Sequence, residues 1–161
     1  MRYFIDCGYY VGGASKQWEW LTDEMGWKTY KFEPNPTLEV PDDVIKEAVW
    51  IEDGEMAFTL EGRHDAAHLG EGLMSVPTFD FSRFIADLPD VEGIICSMDI
   101  EGSEFEVLRK MLDEDTIDKV KVLDIEFHHR LILDYTKEDA EQLIDEIKRR
   151  GTKIILKVPL E

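Results

Sequence analysis

The sequence predicts a three-layer α/β fold in which a mostly parallel sheet lies between helices. Short, continuously apolar segments such as 3–5 and 93–98 have the composition of strands that are buried on both faces. Segments with apolar residues at helical spacing, such as 18–25 and 105–112, lie between the strands. Strands that alternate with helices favour parallel pairing, because each helix carries the chain back across the sheet.

A glycine turn follows the first predicted strand. The strand ends in Asp6, and Gly8 then permits backbone angles that other residues avoid. Gly12 and Gly13 remove side chains where a helix begins, so that a ligand can approach the backbone. Ligands of open α/β sheets bind at the carboxyl ends of the strands, where Asp6 stands.

The spacing of this turn is D-x-G-x-x-x-G, which differs from the dinucleotide fingerprint G-x-G-x-x-G. A carboxylate beside the turn would repel a pyrophosphate. It would suit a ligand with an ammonium group, such as the amino-acid end of S-adenosylmethionine. A tight strand–helix turn without any ligand would produce the same pattern.

The second strand, predicted at 28–33, ends in Glu33. An acid at this place suits the vicinal hydroxyls of a sugar, because one carboxylate accepts two hydrogen bonds. The alternative is that Glu33 is only the solvated end of a strand. After the third strand, Glu52 or Asp53 could accept a hydrogen bond from an adenine amino group, although the Asp-Gly turn explains Asp53 equally well.

The remaining elements follow from the same patterns. A stretch of low periodicity at 62–75 indicates a mobile loop, in which His64 and His68 are assigned to substrate contact or loop polarity rather than to a metal. The predicted helices are 15–26, 81–88, 103–112 and 139–150, with helical turns at 43–46, and the later strands are 48–51, its hairpin partner 56–61, 93–99, 120–127 and 153–158.

Two identical D-I-E triplets, at 99–101 and 124–126, stand at the predicted carboxyl ends of the fourth and fifth strands, and His128 follows. If these strands are neighbours, up to four carboxylates and the imidazole gather at one rim. Such crowding requires a cation, a bound ammonium group or raised pKa values. Alternatively, Glu101 and Glu104 only stabilise the N-terminus of the next helix.

These motifs resemble the FkbM family of S-adenosylmethionine-dependent methyltransferases. The resemblance spans roughly residues 3 to 130 and is carried by F-I-D-C-G with Gly12, by F-E-P-N-P at 32–36, by V-P-T-F-D at 76–80 and, most specifically, by D-I-E-G-S-E at 99–104. It implies a Rossmann-like class I methyltransferase fold and methylation of a hydroxyl on a sugar or related metabolite.

The resemblance also implies site residues. Asp6, Gly8, Gly12 and Glu33 would form the S-adenosylmethionine site, and Asp99 would face both cofactor and acceptor. The chain departs from the family pattern in Tyr9-Tyr10, which replaces a small pair and would narrow the methionine end. Little chain remains for the last strand of the usual sheet.

Methyl transfer to a hydroxyl needs alignment and a base that removes the acceptor's proton. We select His128 as the base, since an unperturbed histidine with a pKa of ~6.5 accepts protons near neutral pH. Asp99 and Glu101 are the rival bases. A divalent cation on Asp99 and Asp124 could instead acidify the hydroxyl, but carboxylate pairs are common at such rims and we assign no metal ligand.

Length, composition and net charge limit the number of domains and the kinds of partner that we expect. The 161 residues, 43% of them apolar, suit a single domain over 1–161. A net charge of −18 disfavours nucleic acid and anionic membranes. Cys7 and Cys96 lie in apolar strands and are expected to be small buried residues. Without a signal peptide or membrane span in the sequence, we expect a cytoplasmic location, and an open sheet edge would allow a homodimer.

Two other functions remain open. A non-catalytic binding module could have kept the fold and lost methyl transfer. Three features suggest this: the missing last strand, the irregular connection at 36–46 where a full second helix would normally lie, and Tyr9-Tyr10. Binding of S-adenosylmethionine or S-adenosylhomocysteine discriminates this function from an enzyme. Nicotinamide-dependent oxidoreduction is disfavoured because G-x-G-x-x-G is absent.

Overall fold

The computed structural model describes residues 1–60, 67–70, 72, 74–128 and 135–160. The strands in these ranges are β1 (Arg2–Cys7), β2 (Lys28–Phe32), β3 (Val44–Ile45), β4 (Ala48–Trp50), β5 (Gly54–Leu60), β6 (Ala67–Leu69), β7 (Met74–Asp80), β8 (Gly93–Met98), β9 (Val120–Ile125) and β10 (Lys153–Leu156). The helices are α1 (Ala14–Gln17), α2 (Glu19–Asp23), α3 (Phe81–Asp87), α4 (Glu104–Asp113) and α5 (Lys137–Arg149), and a 3₁₀ turn spans Thr116–Lys119.

Six strands form one parallel sheet in the order β10-β9-β8-β1-β2-β3. Their carboxyl ends meet at one edge of the sheet. The chain passes from β1 to β2 on one side and later returns to β8 on the other, which opens a crevice at that edge. This topology confirms the predicted α/β fold. In the described part of the chain the sheet edges are β10 and β3, and pairing of two copies there stays a prediction.

Helices cover both faces of this sheet, but unequally. On one face, Tyr3 and Ile5 of β1 belong to a large core that includes residues of α3, α4 and α5. On the other face, Phe4 packs with Leu21 of α2 in a much smaller cluster. Successive residues of a strand point to opposite faces, so a strand covered on both sides is buried throughout, as β1 is from its second residue onward. Cys7 and Cys96 are free and buried in the large core, as predicted.

Side chains cap the N-termini of two helices. Asp80 accepts the Arg83 N–H at 3.1 Å and starts α3. Thr136 and Asp139 form a capping box at the start of α5. The single helix predicted at 15–26 is instead the pair α1 and α2, because the backbone of Trp18 leaves helical geometry (φ −102°, ψ 7°).

The third predicted strand belongs to a different sheet. β4 pairs in parallel with β7, within a four-stranded sheet of order β4-β7-β5-β6. The predicted hairpin of 48–51 with 56–61 is wrong, because β7 lies between β4 and β5 and pairs with both. One edge strand of the parallel sheet is β3, where the sequence pattern predicts helical turns. Its two β-branched residues favour an extended backbone.

The predicted mobile loop at 62–75 overlaps the described residues only in part. His64 lies outside the described residues, and so does the side chain of His68. Within the loop, β6 pairs with β5 in antiparallel fashion. A helix that crosses a bilayer needs about 20 mostly apolar residues, and the described part of the chain contains no helix that meets this requirement.

Candidate functional site

A cavity of about 460 Å³ opens at the carboxyl edge of the parallel sheet. Ligand pockets typically measure ~300–1,000 Å³. The glycine turn after β1 and the end of β2 line one side, and the segments after β8 and β9 line another. The second sheet contributes an apolar wall. The lining includes Gly8, Tyr9, Tyr10, Gly13, Glu33, Asp99, Glu101, Glu126, His128 and Lys157, with Val49, Phe58 and Leu69 on the apolar wall.

The glycine turn ties the ends of three strands together. The N–H groups of Gly8 and Tyr9 donate to the Phe32 carbonyl at 3.0 and 2.9 Å, and the Asp99 N–H donates to the Cys7 carbonyl at 3.0 Å. Gly8 has φ +86°, and a β-carbon there would lie 1.8 Å from the Asp99 carbonyl oxygen. No other residue fits this position without displacing the backbone after β8.

Gly12 does not line the cavity, although the sequence predicts that it belongs to the cofactor site. Gly12 also has a positive φ (+87°), but no atom of the described residues lies within 4 Å of a β-carbon built there. It lines a neighbouring cavity beside α1, whereas Gly13 lines the present one. Tyr9 is buried and Tyr10 is exposed. Both tyrosines line the cavity, so their rings occupy space that small residues would leave open.

Asp6 does not line the cavity. The residue is 1% exposed, and its carboxylate accepts hydrogen bonds from the Ser15 N–H at 3.0 Å and from the Ser15 hydroxyl. Burial raises the pKa of Asp6, and these hydrogen bonds lower it. The alternation along β1 turns Asp6 to the same face as Phe4, where α1 begins. Asp6 therefore positions the glycine turn, and the prediction that it holds the amino-acid end of a cofactor has no support from its placement.

Glu33 lies where the prediction places it, at the cavity and directly after β2. The Asn35 N–H donates to its Oε1 at 2.8 Å. Burial raises the pKa of Glu33 to about 7, and the negative charges of Asp6 and Asp99 add to this effect. Glu33 and the glycine turn thus face one crevice, with Asp6 behind the turn.

Glu52 and Asp53, the acids after the third predicted strand, do not line the cavity. Asp53 accepts the Asp80 N–H at 3.0 Å and forms an ion pair with Arg83. Neither Asp53 nor Glu52 is among the residues that line the cavity, so this placement does not support an adenine contact by either. Because β4 belongs to the second sheet, the beginning of that strand reaches the cavity, at Ala48 and Val49, together with Glu47 just before it.

At the opposite rim, the two D-I-E triplets do bring acids together. His128 Nε2 lies 3.5 Å from Asp99 Oδ1, 3.5 Å from Glu101 Oε2 and 3.7 Å from Glu126 Oε1. Asp124 is not part of this group, since it is buried and accepts the Trp18 indole N–H at 3.3 Å on the α1 face of the sheet. The placement of Asp124 therefore does not support the alternative of a cation held by Asp99 and Asp124.

The second ring nitrogen of His128, Nδ1, forms a hydrogen bond with Glu104. This nitrogen lies 2.8 Å from Oε1 of Glu104, a side chain with no exposed surface. Glu104 also accepts the N–H groups of Ile100 at 3.1 Å and Gly102 at 2.8 Å. Glu104 thus does more than stabilise a helix N-terminus, because it fixes both the loop after β8 and the imidazole.

These contacts shift the pKa values of His128 and Glu101. Burial lowers the pKa of His128, but the hydrogen bond to Glu104 and the charges of Glu104, Glu101 and Asp99 outweigh it and raise the pKa to about 9. Burial raises the pKa of Glu101 to about 7, opposed by the charge of His128. Without a bound ligand, His128 is therefore a cation at neutral pH, which is the opposite of the state that a base requires.

Lys157 is a site residue that the sequence interpretation does not include. It lines the cavity, and its Nζ lies 3.6 Å from Asp99 Oδ2. Its position directly after the last strand could have indicated a place at the site, because β10 runs parallel to β9 and ends at the same edge of the sheet. Its positive charge partly offsets the acids of the rim.

The cavity has two chemically different sides. One side contains Glu33 and the glycine turn, and the other contains a cluster of carboxylates with His128. Comparison with curated proteins and with solved structures yields no match. A family model described as the Methyltransferase FkbM domain matches residues 6–154. That range contains, wholly or in part, every strand of the parallel sheet. The chain therefore belongs to the family of FkbM methyltransferase domains.

Proposed function

We propose that the protein is an S-adenosylmethionine-dependent methyltransferase that methylates a hydroxyl group on a sugar or another small metabolite. One observation carries the proposal. The Gly8 turn with Glu33 and the cluster of Asp99 with Glu101 line the same cavity. A cofactor and an acceptor could therefore meet there, as methyl transfer requires.

The chain's residues fit this cofactor at the Gly8 side. The missing side chain of Gly8 leaves the backbone of three strand ends close together, and Glu33 offers carboxylate oxygens at the end of β2 for the vicinal hydroxyls of a ribose. Val49, Phe58 and Leu69 provide an apolar wall for a flat base. When bound, S-adenosylmethionine supplies a methyl group activated by a sulfonium.

On the acceptor side, Asp99 and Glu101 are the groups proposed to take the acceptor's proton. Both residues line the cavity and carry carboxylates. His128 faces these same oxygens from 3.5 Å and is anchored on Glu104, so it positions the carboxylates. The site contains mainly polar rim groups opposite an apolar wall, which suits a small polar acceptor such as a sugar.

Binding calorimetry tests the proposal. S-adenosylhomocysteine should bind the full chain at one site, and Glu33→Gln should weaken it tenfold to a hundredfold, since a hydrogen bond to a charged group contributes ~1.5–3 kcal/mol. Asp42→Asn removes an exposed acid away from the cavity and should leave the affinity unchanged. If the folded protein binds neither S-adenosylmethionine nor S-adenosylhomocysteine, the proposal fails and a non-catalytic module is the better description.

A further inference from the structure

We propose that the rim of the cavity binds a divalent metal ion through Asp99, Glu101 and His128. One ligand atom from each of these side chains lies within 4.8 Å of the other two. The 3.5 Å separations of His128 Nε2 from the two carboxylate oxygens exceed the ~2.7–3.2 Å of N–H···O hydrogen bonds. They are close to the ~3–3.4 Å between neighbouring ligands of a cation with bonds of ~2.0–2.2 Å. The two His128–carboxylate separations are thus close to those between neighbouring ligands of one cation.

The anchoring of His128 is an independent observation that points to the same ligand. Glu104 is fully buried and already accepts two backbone N–H groups, and it lies 2.8 Å from His128 Nδ1. Nδ1 therefore carries the hydrogen, and Nε2 is turned toward the carboxylates of the rim. Histidines that bind metals are usually oriented in this way, by a carboxylate on the other ring nitrogen.

The two oxygens of Asp99 have different neighbours among the described residues. Lys157 lies 3.6 Å from Asp99 Oδ2, whereas Oδ1 is the oxygen that faces His128. One imidazole and two carboxylates form a mixed ligand set that suits Mn²⁺ and similar ions, since imidazole favours transition metals and carboxylate favours hard cations. Three protein ligands also leave coordination positions open toward the cavity.

The catalytic role of the ion rests on the proposed function, whereas its binding does not. A hydroxyl that coordinates a divalent cation loses its proton more easily, because the cation stabilises the alkoxide. With the ion bound, Asp99 and Glu101 would be its ligands and no longer the groups that take the proton. Glu126, which lines the cavity with its Oε1 at 3.7 Å from His128 Nε2, would then take that proton in their place. The cation would also offset the charge of the crowded acids.

The test is titration of Mn²⁺ into the full chain after removal of metals with a chelator, followed by electron paramagnetic resonance. We expect one saturable site per chain. Asp99→Asn and Glu101→Gln should weaken binding at least tenfold, and the exposed control Asp42→Asn should leave it unchanged. Pulsed measurements should show ¹⁴N coupling from a coordinated imidazole, which His128→Gln should remove. Circular dichroism verifies that each variant is folded.

Three results would overturn the site: no saturable binding, equal weakening by Asp42→Asn, or bound Mn²⁺ without ¹⁴N coupling. The second would show only the general attraction of a chain with net charge −18 for cations. Calorimetry with S-adenosylhomocysteine on the same samples separates the two proposals. A protein that binds this nucleoside but not Mn²⁺ would overturn the metal site and leave the proposed function standing.

Discussion

Replacement of Glu33 by glutamine should stabilise the unliganded protein above neutral pH. The fold raises the pKa of Glu33 from 4.5 to about 7, chiefly by burial. The folded state therefore holds this proton more tightly than the unfolded state does, and stability falls as the pH rises from about 4.5 to about 7. Glutamine carries no such charge and keeps an oxygen for the Asn35 N–H.

The size of the effect follows from the pKa values. A difference of about 2.5 pH units between 4.5 and about 7 corresponds to ~3.4 kcal/mol, at ~1.36 kcal/mol per unit. This figure is a ceiling, because Glu33 opens on the cavity and water screens its charge. We expect Glu33→Gln to be more stable than the wild type by about 1–2 kcal/mol at pH 8 and nearly equal to it at pH 5.

Urea denaturation at pH 5 and pH 8, in the presence of a chelator, measures this difference. Asp42→Asn controls for the loss of one negative charge from an acidic chain and should change stability by only a few tenths of a kcal/mol, ~0.5 at most. A Glu33→Gln variant that is less stable than the wild type at pH 8, or equally stabilised at both pH values, would refute the burial of an ionisable carboxylate at this place.

Two further substitutions test how the glycine turn is held. Gly8→Ala should cost ~3 kcal/mol or more, because strain at positive φ adds to overlap with the Asp99 carbonyl, whereas Gly12→Ala should cost only the ~1–2 kcal/mol of strain, since space is open around it. Equal losses in urea denaturation would contradict this difference. Asp6→Ala should lower the unfolding free energy by ~1–3 kcal/mol without any cofactor, because both donors of Ser15 lose their acceptor. An unchanged unfolding free energy together with lost cofactor binding would restore Asp6 as a direct ligand.

The centre of the fold could be predicted from the sequence because its strands are apolar without interruption. The predicted bounds of β1, β2, β8 and β9 differ from the observed ones by at most two residues. The second sheet could not be predicted in the same way. Ala48-Val49-Trp50 has the composition of a strand in either sheet, and its partner β7 is distant along the chain. Only tertiary pairing decides which sheet receives such a short segment.

The site was predictable in its position and less so in the direction of its side chains. Glu33 and the D-I-E acids could be placed at the carboxyl edge, because parallel strands end together. The orientation of Asp6 could not, because β1 is buried on both faces and its composition does not reveal which face each residue takes. The protonation of His128 depends on Glu104, a contact across 24 residues, so no local pattern indicates it.

A crystal structure of the protein with S-adenosylhomocysteine tests the proposed cofactor site most directly. We predict that the ribose hydroxyls lie within hydrogen-bond distance of the Glu33 carboxylate, about 2.5–3.0 Å. We also expect the amino-acid end to lie along the Gly8 turn and the sulfur to face Asp99 and Glu101. A nucleoside bound elsewhere, or bound in this cavity with Glu33 turned away from the ribose, would contradict this prediction.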